Sequence, residues 1–195
     1  GVDQGRFAPA DRAAAKTTLG VTGSLVVATG ALIPRKGHDV LIRAVAELPG
    51  VNLLIAGEGA ERAALTRLID QLGVGDRVRL LGSVPHGDLP GLLAAADVFA
   101  LASSSEGLAN AWVEALAIGV PVVITEAGGA RELVDGPDAG RVVAREAQAF
   151  AAAIRELLAS PPAPAAVRRF AEPYTWEANT AGLHDHLTGL VQAKG

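Results

Sequence analysis

Glu106 and Glu114 are the two side chains whose type and spacing best suit chemistry. They lie eight positions apart in the stretch SEGLANAWVEAL, and Gly107 beside the first would let the backbone come close to a bound group. Carboxylates bind vicinal hydroxyls as paired acceptors, so the two acids could hold a sugar or a ribose. Alternatively, Asn110 caps a helix, Glu114 complements the helix dipole in its first turns, and Glu106 is a loop charge. The local sequence leaves both interpretations open.

Arg35 and Lys36 form a second candidate group, in the loop GALIPRKG. Gly37 would make the turn into the helix that follows them. Two cations at a helix N-terminus could clamp a phosphate. They could equally be solvated charges, and the local sequence favours neither interpretation.

Other arrangements give less support for a site. The stretch GEGAER resembles a dinucleotide-binding turn, but Arg62 occupies its third glycine position and it follows the second strand, so a tight strand-to-helix turn is the favoured interpretation. No cysteine is present, which excludes thiolate catalysis and cysteine-bound metals. The histidines predict no metal site, because two point to different faces of a helix and two are isolated in loops (His184, His186, His38 and His86).

The composition limits the fold and the partners. The chain has 195 residues, 50% of them hydrophobic and 19% charged, which predicts one compact α/β domain with a sizeable core. A net charge of −4 without a long Lys/Arg run disfavours nucleic acid as a partner. The longest apolar run, residues 115–125, is shorter than the roughly 18 residues of a membrane span. The absence of methionine predicts a piece of a longer protein or a processed chain, and the alanine-rich composition suggests a bacterial genome.

Short apolar runs alternate with helical patterns along the chain. Six runs are expected to be strands: SLVVAT, VNLLIAG, RVRLLG, VFALAS, PVVIT and AGRVV. Because their polarity does not alternate, they predict a single Rossmann-like domain, an α/β fold with an about six-stranded parallel sheet and helices on both faces. The loops beyond the carboxyl ends of the strands are the expected ligand edge, and their glycines and helix N-termini favour an anionic ligand.

The end of the chain has a different organisation. Residues 1–160 are expected to form the sheet domain, and the Pro-rich stretch SPPAPAA to form a hinge or linker. Residues 161–195 would then comprise this linker and a C-terminal tail helix around residues 176–191. That helix would need another surface to pack against.

Taken in order, these loops resemble the C-terminal half of the GT-B glycosyltransferases, in particular the retaining family 4 (group 1). The stretch GALIPRKGHDVLIRAVAEL is similar to the family's G-R-L-x-x-x-K-G segment, and LLIAGEGAERAAL to its G-D-G-P-x-R segment. EGLANAWVEALAIGVPVVITEAGGARELV contains the E-x7-E signature, Glu106 to Glu114, followed by the G-x-P-V-V and G-G-x-x-E pieces. The resemblance covers nearly the whole chain.

The resemblance implies a role for each matching position. The donor sugar and the α-phosphate would lie against one loop (Glu106, Gly107, Leu108 and Ala109). Glu114 would bind the ribose hydroxyls, Lys36 would neutralise the diphosphate leaving group, and Val84 would border the base. Lys36 and Glu106 would thus be the catalytic residues.

One position departs from the family. The usual arginine after the first strand, a second phosphate clamp in the loop that begins at Gly30, is Ala31 in this chain. Arg35, the partner domain or the acceptor could supply the missing charge. Losing one charge-assisted contact costs about 1.5–3 kcal/mol.

The resemblance also implies an activity, a partner and a location. A hexosyltransferase-type enzyme would move a sugar from a nucleotide-diphosphate sugar to an acceptor hydroxyl, with retention and without a prosthetic group or metal. This chain would be the donor-binding half, which binds nucleotide but needs an N-terminal acceptor domain for transfer. The protein would be cytoplasmic, with any contact to the inner membrane face made by that domain.

Two other functions compete with this one. A non-catalytic nucleotide-sugar-binding module is favoured by Ala31 and by the absent domain. A GT-B nucleotide-sugar epimerase shares the fold, but the E-x7-E arrangement argues against it.

Overall fold

The computed structural model describes residues 1–192, with side chains described as far as residue 189, and contains one six-stranded parallel sheet. The strands are β1 Ser24–Thr29, β2 Val51–Ala56, β3 Val78–Gly82, β4 Val98–Leu101, β5 Val122–Thr125 and β6 Gly140–Val143. Their order across the sheet is β3-β2-β1-β4-β5-β6, and every neighbouring pair is parallel. All six lie in the predicted runs, and the predicted Rossmann-like fold class is confirmed.

Helices precede the first strand, connect the strands and follow the last of them. They are α1 Arg12–Thr18, α2 His38–Ala46, α3 Arg62–Leu72, α4 Leu89–Ala94, α5 Asn110–Ile118, α6 Ala130–Leu133, α7 Ala147–Ala159, α8 Pro164–Arg168 and α9 Trp176–Gln192. The predicted end of α3 is confirmed, because Gly73 takes the left-handed C-cap conformation. Helix α1 was not predicted from the sequence; it buries no residue, and the carboxylate of Asp11 caps it.

The sheet separates two apolar core layers. Along β1, Leu25 and Val27 pack into the layer beneath α4 and α5, and Val26 and Ala28 pack into the layer beneath α2, α3 and α7. Successive side chains of a strand point to opposite faces, so a strand buried on both sides must be apolar throughout. This is why the strands lack polar alternation.

The strand order reverses between β1 and β4, which are neighbours in the sheet. In open parallel sheets, the loops that leave two such strands diverge to opposite faces and open a crevice at the carboxyl edge. The loops after β1 and β4 hold the predicted cations and Glu106.

The Pro-rich stretch after α7 turns into α8 and a short 3₁₀ turn, Arg169–Ala171. Val167 and Ala171 are fully buried in the core layer that contains α5. The guanidinium of Arg168 donates to the carbonyls of Gln4, Phe7 and Ala117. These residues are therefore joined to the sheet domain, and a domain boundary at residue 160 stays a prediction.

Helix α9 leaves the domain with an apolar face in solvent. Trp176, Leu183 and Leu187 are each more than half exposed. No helix within residues 1–192 combines the length and apolar character needed to cross a membrane.

Candidate functional site

The loops after β1 and β4 meet at the carboxyl edge of the sheet through three charged side chains. Nζ of Lys36 donates to Oε1 of Glu106 at 2.5 Å, and Nη1 of Arg35 lies 3.5 Å from the same oxygen. Arg35 also donates to the carbonyl of Ser105 at 2.5 Å. The structure thus brings together three predicted site residues, of which Lys36 and Glu106 lie 70 positions apart in the sequence.

Gly37 allows the two loops to touch. It ends the 3₁₀ turn Pro34–Lys36 in the left-handed conformation, with φ 66°. A Cβ at this position would lie 2.2 Å from the carbonyl oxygen of Ala102, at the end of β4. The amide of Ser104 donates to the carbonyl of Arg35 at 2.8 Å, which completes the junction.

Gly37→Ala is expected to destabilise the fold more than Gly73→Ala. The two glycines have nearly equal φ values, 66° and 65°, and this conformation costs an L-residue about 1–2 kcal/mol. At Gly73 an added Cβ meets nothing within 4 Å, whereas at Gly37 it overlaps the Ala102 carbonyl. Urea unfolding should therefore show the larger loss of unfolding free energy for Gly37→Ala. Equal losses would mean that the two loops can separate without cost.

The carboxylate of Glu106 is held in its ionised form. Burial raises its pKa, but the hydrogen bond and charge of Lys36, with the charge of Arg35, outweigh burial and lower the pKa below its ordinary value. The side chain is only 9% exposed. Glu106 is therefore a hydrogen-bond acceptor near neutral pH and is unsuited to donate a proton.

The first turn of α5 lies directly after this loop and has no side-chain cap. The helix begins at Asn110, its N-cap is Ala109, and no side chain accepts from its first amides. The interpretation that Asn110 caps the helix is therefore wrong, because Asn110 is already in the first helical position. Uncapped amides and the helix dipole together attract an anion.

The loop after β5 supports the loop that carries Glu106. The amide of Gly129 donates to the carbonyl of Gly107 at 3.0 Å. A Cβ on Gly128 would lie 2.0 Å from that same carbonyl oxygen, so only glycine fits there without a shift. Leu108, next in the loop, remains partly exposed at the edge.

Glu114 lies one turn further along α5 and is nearly buried. Its carboxylate is 3.3 Å from Nε2 of His86, which follows β3. His86, expected only as a lone histidine of a ligand-edge loop, thus contacts a predicted site residue. The sequence carried no signal for this contact, because it joins the loop after β3 to α5, and β3 and β4 are not neighbours in the sheet.

Val84 and Ala31 lie in the loops after β3 and β1. Val84 lines a mostly apolar cavity of about 440 Å³ between α1 and α4. Ala31 is exposed after Gly30, and its carbonyl is 3.3 Å from Nε2 of the buried His38. Burial lowers the pKa of His38, so the ring is neutral at pH 7 and does not replace the expected arginine.

Arg145 is a further residue of the site that the sequence analysis missed. Its Nε donates to the carbonyl of Ala102 at 2.7 Å and its Nη2 to the carbonyl of Pro34 at 2.5 Å. It follows β6 and ties the ends of both site loops together. In the sequence it stands beside Glu146 before a helix, with no motif around it.

Known proteins share both the sequence and the fold of this chain. Residues 10–173 match the family described as "Glycosyl transferases group 1". The chain is 39% identical over 197 positions to the D-inositol 3-phosphate glycosyltransferase of Mycobacterium tuberculosis, covering 94% of this chain and 41% of that protein. The fold is similar to sucrose-phosphate synthase from Thermosynechococcus elongatus (TM-score 0.86, 29% identity, 99% of this chain and 52% of that one). It is also similar to Anabaena HepE, solved in complex with UDP (TM-score 0.84, 26% identity, 99% and 56%).

The comparisons agree with the resemblance found in the motifs. The match to the family covers most of the chain and includes both site loops and α5. The chain spans about two fifths of the length of the curated relatives it matches, 41%. The chain belongs to the group 1 glycosyltransferases.

Proposed function

We propose that this chain is the donor-binding half of a retaining glycosyltransferase of the hexosyl type, and that it binds a nucleotide-diphosphate sugar at the carboxyl edge of the sheet. The contact of Lys36 and Arg35 with Glu106, beside the uncapped start of α5, carries this proposal. It brings two cations, a helix N-terminus and a carboxylate together at one edge of the sheet. The cations and the helix N-terminus suit a diphosphate, and the carboxylate suits a sugar.

Lys36 and Arg35 would stabilise the departing diphosphate. Negative charge grows on the leaving group during transfer, and fixed cations and amides favour that state over the ground state. An ammonium group has three N–H donors, so Lys36 can keep its bond to Glu106 while it donates to phosphate oxygens. The proposal assigns Lys36 and Glu106 as the catalytic residues.

Arg35 would compensate for Ala31. Its guanidinium is 3.5 Å from Glu106, on the same side as Lys36, and its side chain is half exposed. A planar guanidinium can contact two phosphate oxygens at once. This second cation favours a catalytic donor site over a non-catalytic binding module.

Glu106 would hold the donor sugar and Glu114 the ribose. Glu106 is ionised and accepts hydrogen bonds, which suits sugar hydroxyls. Gly107, Leu108 and Ala109 would offer backbone groups to the sugar and the α-phosphate. Val84 would border the base, as the cavity beside it is mostly apolar.

Transfer would need a second domain. The chain spans 41% of its curated relatives, and α9 presents Trp176, Leu183 and Leu187 to solvent, a surface that suits an N-terminal acceptor domain. We expect the isolated chain to bind nucleotide without transferring sugar. In this proposal the whole enzyme is cytoplasmic, and any membrane contact lies in the other domain.

Calorimetry with UDP, GDP and ADP and their sugars tests the proposal directly. UDP is the first choice, because Anabaena HepE was solved with it. We expect at least one of these nucleotides to bind. Absence of heat with all of them at about 1 mM, where even weak sites of about −4 kcal/mol are half filled, would reject the donor site.

Glu114→Ala is expected to weaken the binding of that nucleotide about 10- to 100-fold. The change removes the charged acceptor proposed for the ribose diol, and a hydrogen bond to a charged group is worth about 1.5–3 kcal/mol. Calorimetry measures the loss. Glu156→Ala is the control, since Glu156 pairs with Arg141 on the surface of α7 and should leave the affinity unchanged. Unchanged affinity in Glu114→Ala would refute the ribose assignment.

A further inference from the structure

His86 contacts the carboxylate proposed to bind the ribose. Its Nε2 is 3.3 Å from Oε1 of Glu114, and the two side chains differ in exposure, 58% for His86 and 11% for Glu114. Within residues 1–189, His86 is the one side chain that hydrogen-bonds this carboxylate. The contact thus joins a nearly buried carboxylate to a solvent-exposed imidazole.

The ring of His86 is itself held in place by Phe7. The two rings meet edge to face, with centroids 5.5 Å apart and an angle of 67° between their planes. Phe7 is fully buried, its amide donates to the carbonyl of Asp3, and its own carbonyl accepts from Arg168. An anchored aromatic side chain therefore fixes the face and direction of an otherwise exposed imidazole.

We propose that His86 is a positioning residue that orients the Glu114 carboxylate for a ribose diol, an inference that rests on the proposed function. An unpartnered glutamate samples several side-chain rotamers and loses that freedom on binding. The contact of one carboxylate oxygen with His86 restricts those rotamers before a ligand binds. His86 would therefore raise the preference for ribose over 2′-deoxyribose without touching the phosphates.

Two substitutions separate the hydrogen bond from the ring contact. His86→Phe keeps an aromatic ring against Phe7 and removes the N–H donor. His86→Gln keeps an N–H donor and removes the ring. If His86 acts through the hydrogen bond, the phenylalanine variant loses function and the glutamine variant retains it, whereas a packing role predicts the reverse.

The experiment compares UDP, GDP and ADP with their 2′-deoxy forms by calorimetry on the wild-type chain and both variants. We expect the wild type to prefer ribose about tenfold or more, since the acceptor for one hydroxyl is charged. His86→Phe should lower this ratio several-fold, because Glu114 remains but is no longer oriented, and His86→Gln should keep most of it. In a Glu114→Ala background, His86→Phe should have no further effect.

The outcomes separate this inference from the proposed function. His184→Asn is the control, because His184 also lies beside an acid, 3.5 Å from Asp185, on the exposed surface of α9. A wild type that binds no nucleotide overturns the proposed function and this inference with it. A wild type that prefers ribose, with an unchanged ratio in His86→Phe, overturns the role of His86 alone. Equal losses in the phenylalanine and glutamine variants also overturn it, and thermal melting confirms that each variant is folded.

Discussion

Replacing Lys36 with methionine in the full-length enzyme is expected to lower the rate of sugar transfer about 100- to 1,000-fold, the usual effect of losing one fixed donor to a developing charge. Lys36 contacts Glu106 at 2.5 Å and its side chain is only 15% exposed, so its position is set before a ligand arrives. A preorganised cation costs no rearrangement when the diphosphate departs. Steady-state kinetics should show the loss in kcat and not in KM alone.

Lys16→Met is a closely matched control. Lys16 also contacts a carboxylate at 2.5 Å, that of Asp97, and the two side chains are 18% and 19% exposed. This pair lies at the amino ends of β1 and β4, where Asp97 also accepts from the amide of Leu25. Loss of Lys16 should reduce stability and leave kcat nearly unchanged. A similar loss of kcat in both variants would show that Lys36 acts through folding and not on the leaving group.

The sheet could be predicted from the sequence because burial on both faces leaves a clear pattern. β1 needs apolar residues at every position, as Leu25 and Val26 face opposite core layers. Six such runs alternating with helical stripes permit few other folds. The helix α1 lacks this signal, because no residue of it is buried and polar contacts hold it, namely the cap by Asp11 and the pair of Lys16 with Asp97.

The contacts within the site could be predicted only in part. Arg35, Lys36 and Glu106 follow strands that become neighbours at the reversal of strand order, so a parallel sheet already places them at one edge. The strand order does not predict the contact of His86 with Glu114 and Phe7. This contact depends on how the loop after β3, the α5 helix and the first residues of the chain pack, and no local pattern reports that arrangement.

The structural reason for a glycine could not be predicted from the sequence either. A glycine in a sequence indicates only that the backbone has freedom. At Gly128 the reason is a carbonyl from another loop, that of Gly107, 2.0 Å from where a Cβ would be. Such close approaches between distant segments determine the shape of the site. In the sequence, each is marked by one glycine and no surrounding pattern.

Glu106→Gln in the full-length enzyme is expected to change transfer and nucleotide binding in opposite directions. Transfer should fall about 100-fold or more, because the amide loses the charge that would bind the sugar in the transition state. Affinity for the nucleoside diphosphate without its sugar should rise. Lys36 and Arg35 would no longer be partly neutralised by a carboxylate at 2.5 Å and 3.5 Å. Kinetics and calorimetry on the same preparation measure both quantities.

The opposite signs distinguish a catalytic role of Glu106 from a structural one. A structural role predicts that loosening the junction of the two loops weakens transfer and nucleotide binding together. Glu126→Gln is the control, since Glu126 also contacts an arginine, Arg131, at 2.5 Å in a loop of the same edge, but in solvent. It should leave both quantities unchanged. Parallel losses of transfer and nucleotide affinity in Glu106→Gln would refute its assignment to the sugar.

The transfer rate of the wild type should also withstand a fall in pH. Because the pKa of Glu106 is lowered, its carboxylate stays ionised as the pH falls below neutral. The transfer rate should therefore show no loss from Glu106 until the pH approaches that lowered pKa.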